Sequence, residues 1–147
     1  MKRIVLVLLL AFGLGTTAGF ARGEGTEQSG TLHVKKECSQ YNPAVAFSFC
    51  TITSSNIDVI KKGMRVVYVS AANLKTGRLN SDLVIDGPGY NLAFGHVRLN
   101  LKTLTGVVTL SGGTGRFTNF HAGPLTVACP HNPVCSWVGP YWFSSGD

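Results

Sequence analysis

Charge is scarce in this 147-residue chain: Asp, Glu, Lys and Arg together make up 14% of it, and only seven residues are acidic. So few carboxylates limit any chemistry that needs two of them side by side. Asp82 and Asp86 fall on one side of an alternating segment, yet their Cα atoms lie about 13 Å apart at the strand rise. Glycosidase pairs need roughly 5–10 Å between carboxyl groups. Glu37 and Asp58 have no obvious partner, so a solvated outer face accounts for the acids better than hydrolysis does. Helical periodicity is almost missing. Only Asn56–Lys62 predicts a single turn, with Asn56 as its cap and Gly63 as its stop. No apolar run reaches the roughly 20 residues that a membrane-spanning helix requires, which excludes a chain embedded in the bilayer by helices. There is no Gly-x-Ser-x-Gly elbow, no Asn-x-Ser/Thr sequon and no motif for a bound cofactor. Lys35-Lys36 and Lys61-Lys62 are isolated basic pairs without interleaved aromatics. They read as solvated edges, and no nucleic-acid partner is expected.

What the chain does have begins at Met1-Lys2-Arg3. A short cationic start, about eleven apolar residues and then small residues up to Ala21 form the pattern of a secretory leader. The expectation is cleavage near Ala21 and a secreted or periplasmic protein. Losing Lys2 and Arg3 leaves eleven Lys and Arg against seven Asp and Glu, a formal +4. That mild basic balance suits solubility. Residues 22–30 are polar and Gly-rich and read as a flexible leader, with one domain over 31–147.

The four cysteines, Cys38, Cys50, Cys129 and Cys135, all follow the leader. In an exported chain an even count points to disulfides, and three pairings are open. Loop-closure entropy favours Cys38–Cys50 with Cys129–Cys135. A pairing that ties the first strands to the last is the competitor. Cys129-Pro-His131-Asn-Pro-Val-Cys135 offers metal ligands on paper. Zinc needs thiolates, however, and an oxidising compartment turns such a pair into a staple, so no metal is expected.

Between these points, short β-type runs alternate with Gly, Asn, Pro and Ser clusters. The expected strands are Thr31–Lys36, Ala44–Cys50, Met64–Ala71, Leu79–Asp86, Leu92–Leu101, Leu104–Leu110, Leu125–Ala128 and Ser136–Phe143. Leu79, Ser81, Leu83 and Ile85 share one face of the fourth, which alternates cleanly. About eight strands with turns at this spacing suit a sandwich or a barrel, and the expected fold class is all-β, a single antiparallel eight-stranded barrel stapled by disulfides. A lipocalin is a weaker fit, because Thr31–Lys36 contains no Trp.

Residues 104–123 run from a strand into Gly112-Gly113-Thr114-Gly115, then Arg116-Phe117 and a second short strand. Glycines permit positive φ and close backbone approach in such a bend, and Phe117 is expected to drop into the core beside it. A phosphate cradle would need a Lys-Ser/Thr and a helix after the glycines, and neither is present. A strand ending in Gly-Gly-Thr-Gly followed by Arg-Phe resembles the dirigent and allene oxide cyclase-like β-barrel superfamily. Gly95-His96-Val97-Arg98-Leu99 sits where that superfamily has its neighbouring strand. The resemblance implies an eight-stranded antiparallel barrel with an apolar cavity, often assembled as a homotrimer. The acid-and-cysteine pocket of plant allene oxide cyclases and the guiding pocket residues of plant dirigent proteins have no match here.

Candidate pocket residues come from the aromatic and histidine positions. Of His33, His96, His121 and His131, His96 shares strand parity with Leu92 and Phe94. If that face lines the barrel, His96 becomes a pocket acid, base or donor; otherwise it is a surface histidine. Tyr68 and Phe49 join Phe94 and His96 as pocket candidates, while Phe47, Trp137, Tyr141 and Phe143 serve mainly as filling. Small residues at Ser70, Ala93 and Gly106 are candidates for making room. The leading functional expectation is an exported barrel that binds a small apolar ligand, without an assembled catalytic set. The alternatives are an isomerase or cyclase of allene oxide cyclase type on an oxylipin-like or phenolic substrate, with His96 or a pocket Tyr in the acid–base role, and an oligomeric interaction protein using Pro130–Pro133 and Trp142.

Overall fold

Strand after strand, inward positions are mostly apolar and outward positions mostly polar, and the sheet those strands form has no free edge. In the computed structural model, which describes residues 28–146, eight antiparallel strands pair in sequence order and the last closes on the first. They are β1 (Ser29–Glu37), β2 (Ser48–Ser55), β3 (Arg65–Tyr68), β4 (Arg78–Gly87), β5 (Asn91–Asn100), β6 (Thr105–Gly113), β7 (Phe120–His131) and β8 (Val134–Phe143). Closure pairs β1 with β8 along nine positions, from Ser29 opposite Trp142 to Glu37 opposite Val134. The expected barrel is therefore the fold, and both favoured disulfides, Cys38–Cys50 and Cys129–Cys135, are formed. The leader assigned to residues 1–21, and residues 22–27 of the polar stretch after it, lie outside the described residues. No helix among the described residues is long and apolar enough to cross a membrane.

Leu79, Ser81, Leu83 and Ile85 all point inward and are buried, as period two requires. Leu32 and Val34 of β1, Ile52 of β2, Val66 of β3, Val97 of β5, Val108 and Leu110 of β6, Leu125 and Val127 of β7 and Trp137 of β8 complete this interior.

Three local expectations are corrected. Asn56–Lys62 is not helical. Asn56 bonds to the neighbouring strand instead: its Oδ1 accepts from the His33 backbone N–H at 2.7 Å, and its Nδ2 donates to the Thr31 carbonyl at 2.7 Å. Satisfying two backbone groups of β1 leaves that side chain unable to cap a turn. The strand after Pro43 begins only at Ser48, because Phe47 takes φ +60° and breaks the extended run. Ser29 and Gly30, assigned above to the flexible leader, already belong to β1.

The two ends of the barrel differ. At one end, the glycine-rich stretch closes the interior. Gly112 has φ +78°, and a single 3-10 turn, Gly115–Phe117, seats Phe117 fully buried. Phe117 meets Phe120 edge-on at 5.6 Å, and Phe120 packs on Phe143 at 5.2 Å. Buried Ile60 and Met64 from the β2–β3 connection close the same end. The opposite end gathers the β1–β2, β3–β4, β5–β6 and β7–β8 connections, and there a cavity remains.

Candidate functional site in the barrel mouth

Lys36 is the third inward residue of β1. Leu32, Val34 and Lys36 are buried while Thr31, His33 and Lys35 are exposed, so strand parity alone carries an amine into the barrel. A bulge in the pairing with β2 falls at this point: Lys35 faces Ser54, but Lys36 faces Ile52. Bulges of this kind re-aim side chains beside functional sites. On its other flank Lys36 is opposite Cys135 of β8. Only 2% of the residue is exposed, which corrects its assignment to a solvated basic pair.

The surroundings of this amine are unusual for a charged group. Its Nζ donates a hydrogen bond to Tyr68 Oη at the end of β3. It also sits 5.0 Å from the Tyr68 ring centroid and 4.6 Å from that of Trp137. Cation–π contact offsets part of the cost of burying an ammonium. The one ion pair among the described residues joins His96 and Asp82, so no carboxylate there balances Lys36. Burial without a counter-ion favours the neutral amine and pulls the Lys36 pKa down to about 7. Burial pushes the Tyr68 hydroxyl well above its ordinary range, and neighbouring Tyr41 adds to that. Tyr41 is also raised by burial. Both phenols are thus neutral near pH 7.

Tyr41 reaches the site from the β1–β2 connection, its ring meeting that of Tyr68 edge-on at 5.1 Å. Its buried Oη has no hydrogen-bond partner among the described residues. An unsatisfied buried hydroxyl costs on the order of 1–3 kcal/mol, which a ligand acceptor or donor would recover. Lys36, Tyr41 and Tyr68 line a cavity of about 240 Å³ whose other walls are mainly Leu79, Leu99, Leu101, Leu104 and Val127. At ~30 Å³ per water-sized unit it accommodates a molecule of about eight to ten heavy atoms.

Both disulfides line this mouth. Cys38–Cys50 ties the β1–β2 connection to β2, and Cys129–Cys135 bridges β7 and β8. Backbone bonds add to the rim: the Cys38 N–H donates to the Pro133 carbonyl at 2.9 Å, Ala72 to Pro43 at 2.8 Å and Leu101 to Gly77 at 2.8 Å. Asn42 N–H donates to the buried Ser48 Oγ at 2.7 Å, which fixes the connection carrying Tyr41. Each donor just inside the mouth therefore rests on a cross-linked support.

Of the four pocket candidates named from sequence, Tyr68 lies in the cavity and the other three do not. Phe94 is 43% exposed, and His96 shares its outward face. His96 lies opposite Asp82 in the ladder, with Nδ1 3.0 Å from Asp82 Oδ1 and Nε2 2.5 Å from Asn80 Oδ1. This is a cross-strand polar cluster on the outside. Phe49 also faces out, with the Arg65 guanidinium 4.5 Å above its ring. The face carrying Leu92, Phe94 and His96 is outward because Ala93 and Val97, one residue out of phase, fill the interior. Gly112, Gly113, Thr114, Gly115 and Phe117 form the closed end, away from the cavity. Gly106 makes no room, since a β-carbon there would lie 2.1 Å from the Arg98 carbonyl oxygen. Pro130–Pro133 borders the mouth, whereas Trp142 is the penultimate residue of β8, near the closed end.

Lys36 and Tyr41 were missed as site residues. The signal for Lys36 was present in Leu32-His33-Val34-Lys35-Lys36, where strict alternation puts Lys36 on the side of Leu32 and Val34. Nothing in the local sequence marks Tyr41, which arrives through a loop. No protein family, curated protein or solved structure matches the chain.

Proposed function

We propose that the protein is an exported barrel that binds a small, mostly apolar molecule with one hydrogen-bonding end in its open mouth. The observation that carries this reading is the pairing of a buried amine that meets no carboxylate, and a buried phenol that meets no hydrogen-bond partner, among the described residues, on the wall of a mainly apolar cavity. Leu79, Leu99, Leu101, Leu104 and Val127 provide the apolar contact area, and Lys36 and Tyr41 orient the polar end. The Gly-Gly-Thr-Gly bend and its resemblance to barrels with apolar cavities support the same reading. So do the two disulfides, which suit the oxidising compartment that the Met1–Ala21 leader implies.

Proton transfer by His96 gains no support, because that ring lies on the outer face. Tyr68 is the acid–base candidate that lines the cavity.

Benzyl alcohol, an apolar ring with one polar end, fits the available volume. Titrated into the isotopically labelled protein, it is expected to shift amide resonances around Lys36, Tyr41, Tyr68 and Leu99, with Kd at or below ~1 mM, about 4 kcal/mol. Leu99→Trp fills the cavity and should abolish the shifts while the remaining spectrum stays folded. Unperturbed mouth resonances at saturating probe, or unaltered binding by folded Leu99→Trp, would refute the reading.

A further inference from the structure

An amine in an apolar cavity can do more than donate a hydrogen bond. Lys36 Nζ has three features of a nucleophilic amine: it lines a cavity, it faces aromatic rings instead of a carboxylate, and a phenolic hydroxyl lies within hydrogen-bond contact. Lysines acquire nucleophilic character by desolvation in apolar pockets, since an ammonium has no lone pair to offer. From this juxtaposition we infer that Lys36 captures small apolar aldehydes reversibly as an imine inside the barrel, with Tyr68 relaying the protons. The inference rests on the ligand-binding reading above and names the chemical class of its ligand.

The step balances without any further reagent. The neutral amine attacks the carbonyl carbon through its lone pair, forming the C–N bond while the carbonyl π pair moves to oxygen. Tyr68 Oη–H gives that oxygen a proton and recovers one from the nitrogen, leaving a neutral carbinolamine. Loss of the second N–H proton and of the hydroxyl, protonated on departure, gives the C=N bond and one water molecule. Nothing is oxidised or reduced, and hydrolysis reverses the sequence.

The groups that face Lys36 bear on its pH dependence. From β3 comes Tyr68, from the β1–β2 connection Tyr41, from β8 Trp137 and Cys135, and from β2 Ile52 and Cys50. Both cysteines are in disulfides and do not titrate, and both phenols are held neutral by burial. Capture should therefore follow the amine alone, supported by its depressed pKa of about 7.

Benzaldehyde, nearly isosteric with benzyl alcohol, tests the inference. The full mature protein is exposed briefly to benzaldehyde with cyanoborohydride at pH 7, which fixes imines as benzylamines, and peptide mapping then ranks the lysines. The expected result is labelling of Lys36 at least about 10-fold faster than that of Lys35, Lys61, Lys62, Lys75 or Lys102, with its rate rising through pH 7. Excess benzyl alcohol should suppress the Lys36 label alone. Labelling spread over the surface lysines, with Lys36 no faster, overturns the inference. The ranking is made on the wild-type protein and needs no variant. If benzyl alcohol binds in the mouth while Lys36 is not labelled, covalent capture is wrong and the binding reading survives. If neither occurs, both are wrong.

Discussion

At the scale of single residues, the barrel spends stability on Lys36. A buried amine without a counter-ion is among the costlier features a small core can hold. Its folded pKa, about 7, lies below the ordinary lysine value of 10.5. Between those values the unfolded chain binds more protons than the folded one, so stability rises with pH across that window and the full penalty applies below it. The tyrosines act in the opposite direction. Their raised pKa values mean that the unfolded phenols ionise first, and stability falls once pH passes about 10. Chemical denaturation should therefore show stability climbing from pH 7 to a maximum near pH 10. Lys36→Met should remove the climb and add on the order of 3–5 kcal/mol at pH 6. A variant less stable than wild type at pH 6, with the climb intact, would show that the amine is already paired. Parity along β1 made the inward aim of Lys36 legible; its lack of a carboxylate was not, because that depends on what seven other strands contribute. His96 shows the converse. Its side of β5 could be assigned only once Ala93 and Val97 were seen filling the interior.

Among the elements, period-two runs with clean alternation were the easiest to read. Leu79–Asp86 differs from the observed β4 by one residue at either end, and Leu92–Leu101 from β5 by a one-residue slide. Strands that bend were harder. Leu125–Ala128 proved to be the middle of β7, a twelve-residue strand that shifts register twice against β8, and such shifts break the pattern on which periodicity depends. The turn at Asn56–Lys62 was misread because Asn56 bonds to β1, a contact 23 to 25 residues away in sequence. The glycine-rich bend was legible because four residues, Gly112-Gly113-Thr114-Gly115, announce a tight turn by their composition, although part of what they serve lies across the ladder. Gly113 is needed for space: a β-carbon there would lie 1.9 Å from the Leu92 carbonyl oxygen and 2.8 Å from Phe117 Cβ. Gly113→Ala should force β5 and β6 apart and unseat Phe117, costing about 2–4 kcal/mol by thermal or urea unfolding. Because the bend lies at the closed end, affinity for benzyl alcohol in the remaining folded protein should change less than about twofold. A stability loss under ~0.5 kcal/mol would mean that the strands can yield there.

For the molecule as a whole, the arrangement is a cylinder sealed at one end and stitched open at the other. Eight strands leave an interior only wide enough for side chains, so space for a ligand arises where the filling stops. Phe117, Phe120 and Ile60 fill one end, and the filling gives out between Leu79, Leu99 and Val127 near the other. Both disulfides stand at that open end, each worth about 2–3 kcal/mol by loop-closure entropy. They hold the rim where its loops could otherwise collapse into the cavity. The all-β strand count and the disulfide pairing could be anticipated from alternation and from the short cysteine spacings, whereas closure over an open sandwich rested on the resemblance carried by the glycine-rich bend. Which end stays open could not, since it follows from where the glycine-rich bend drops its phenylalanine. The most direct test is diffraction from crystals soaked in 4-bromobenzyl alcohol, whose bromine is located by anomalous scattering. The expected result is one strong bromine peak in the mouth among Tyr41, Tyr68 and Leu99, with the hydroxyl toward Lys36. A bromine bound only on the outer face near Phe94 and His96, or an empty mouth at saturating ligand, would contradict it.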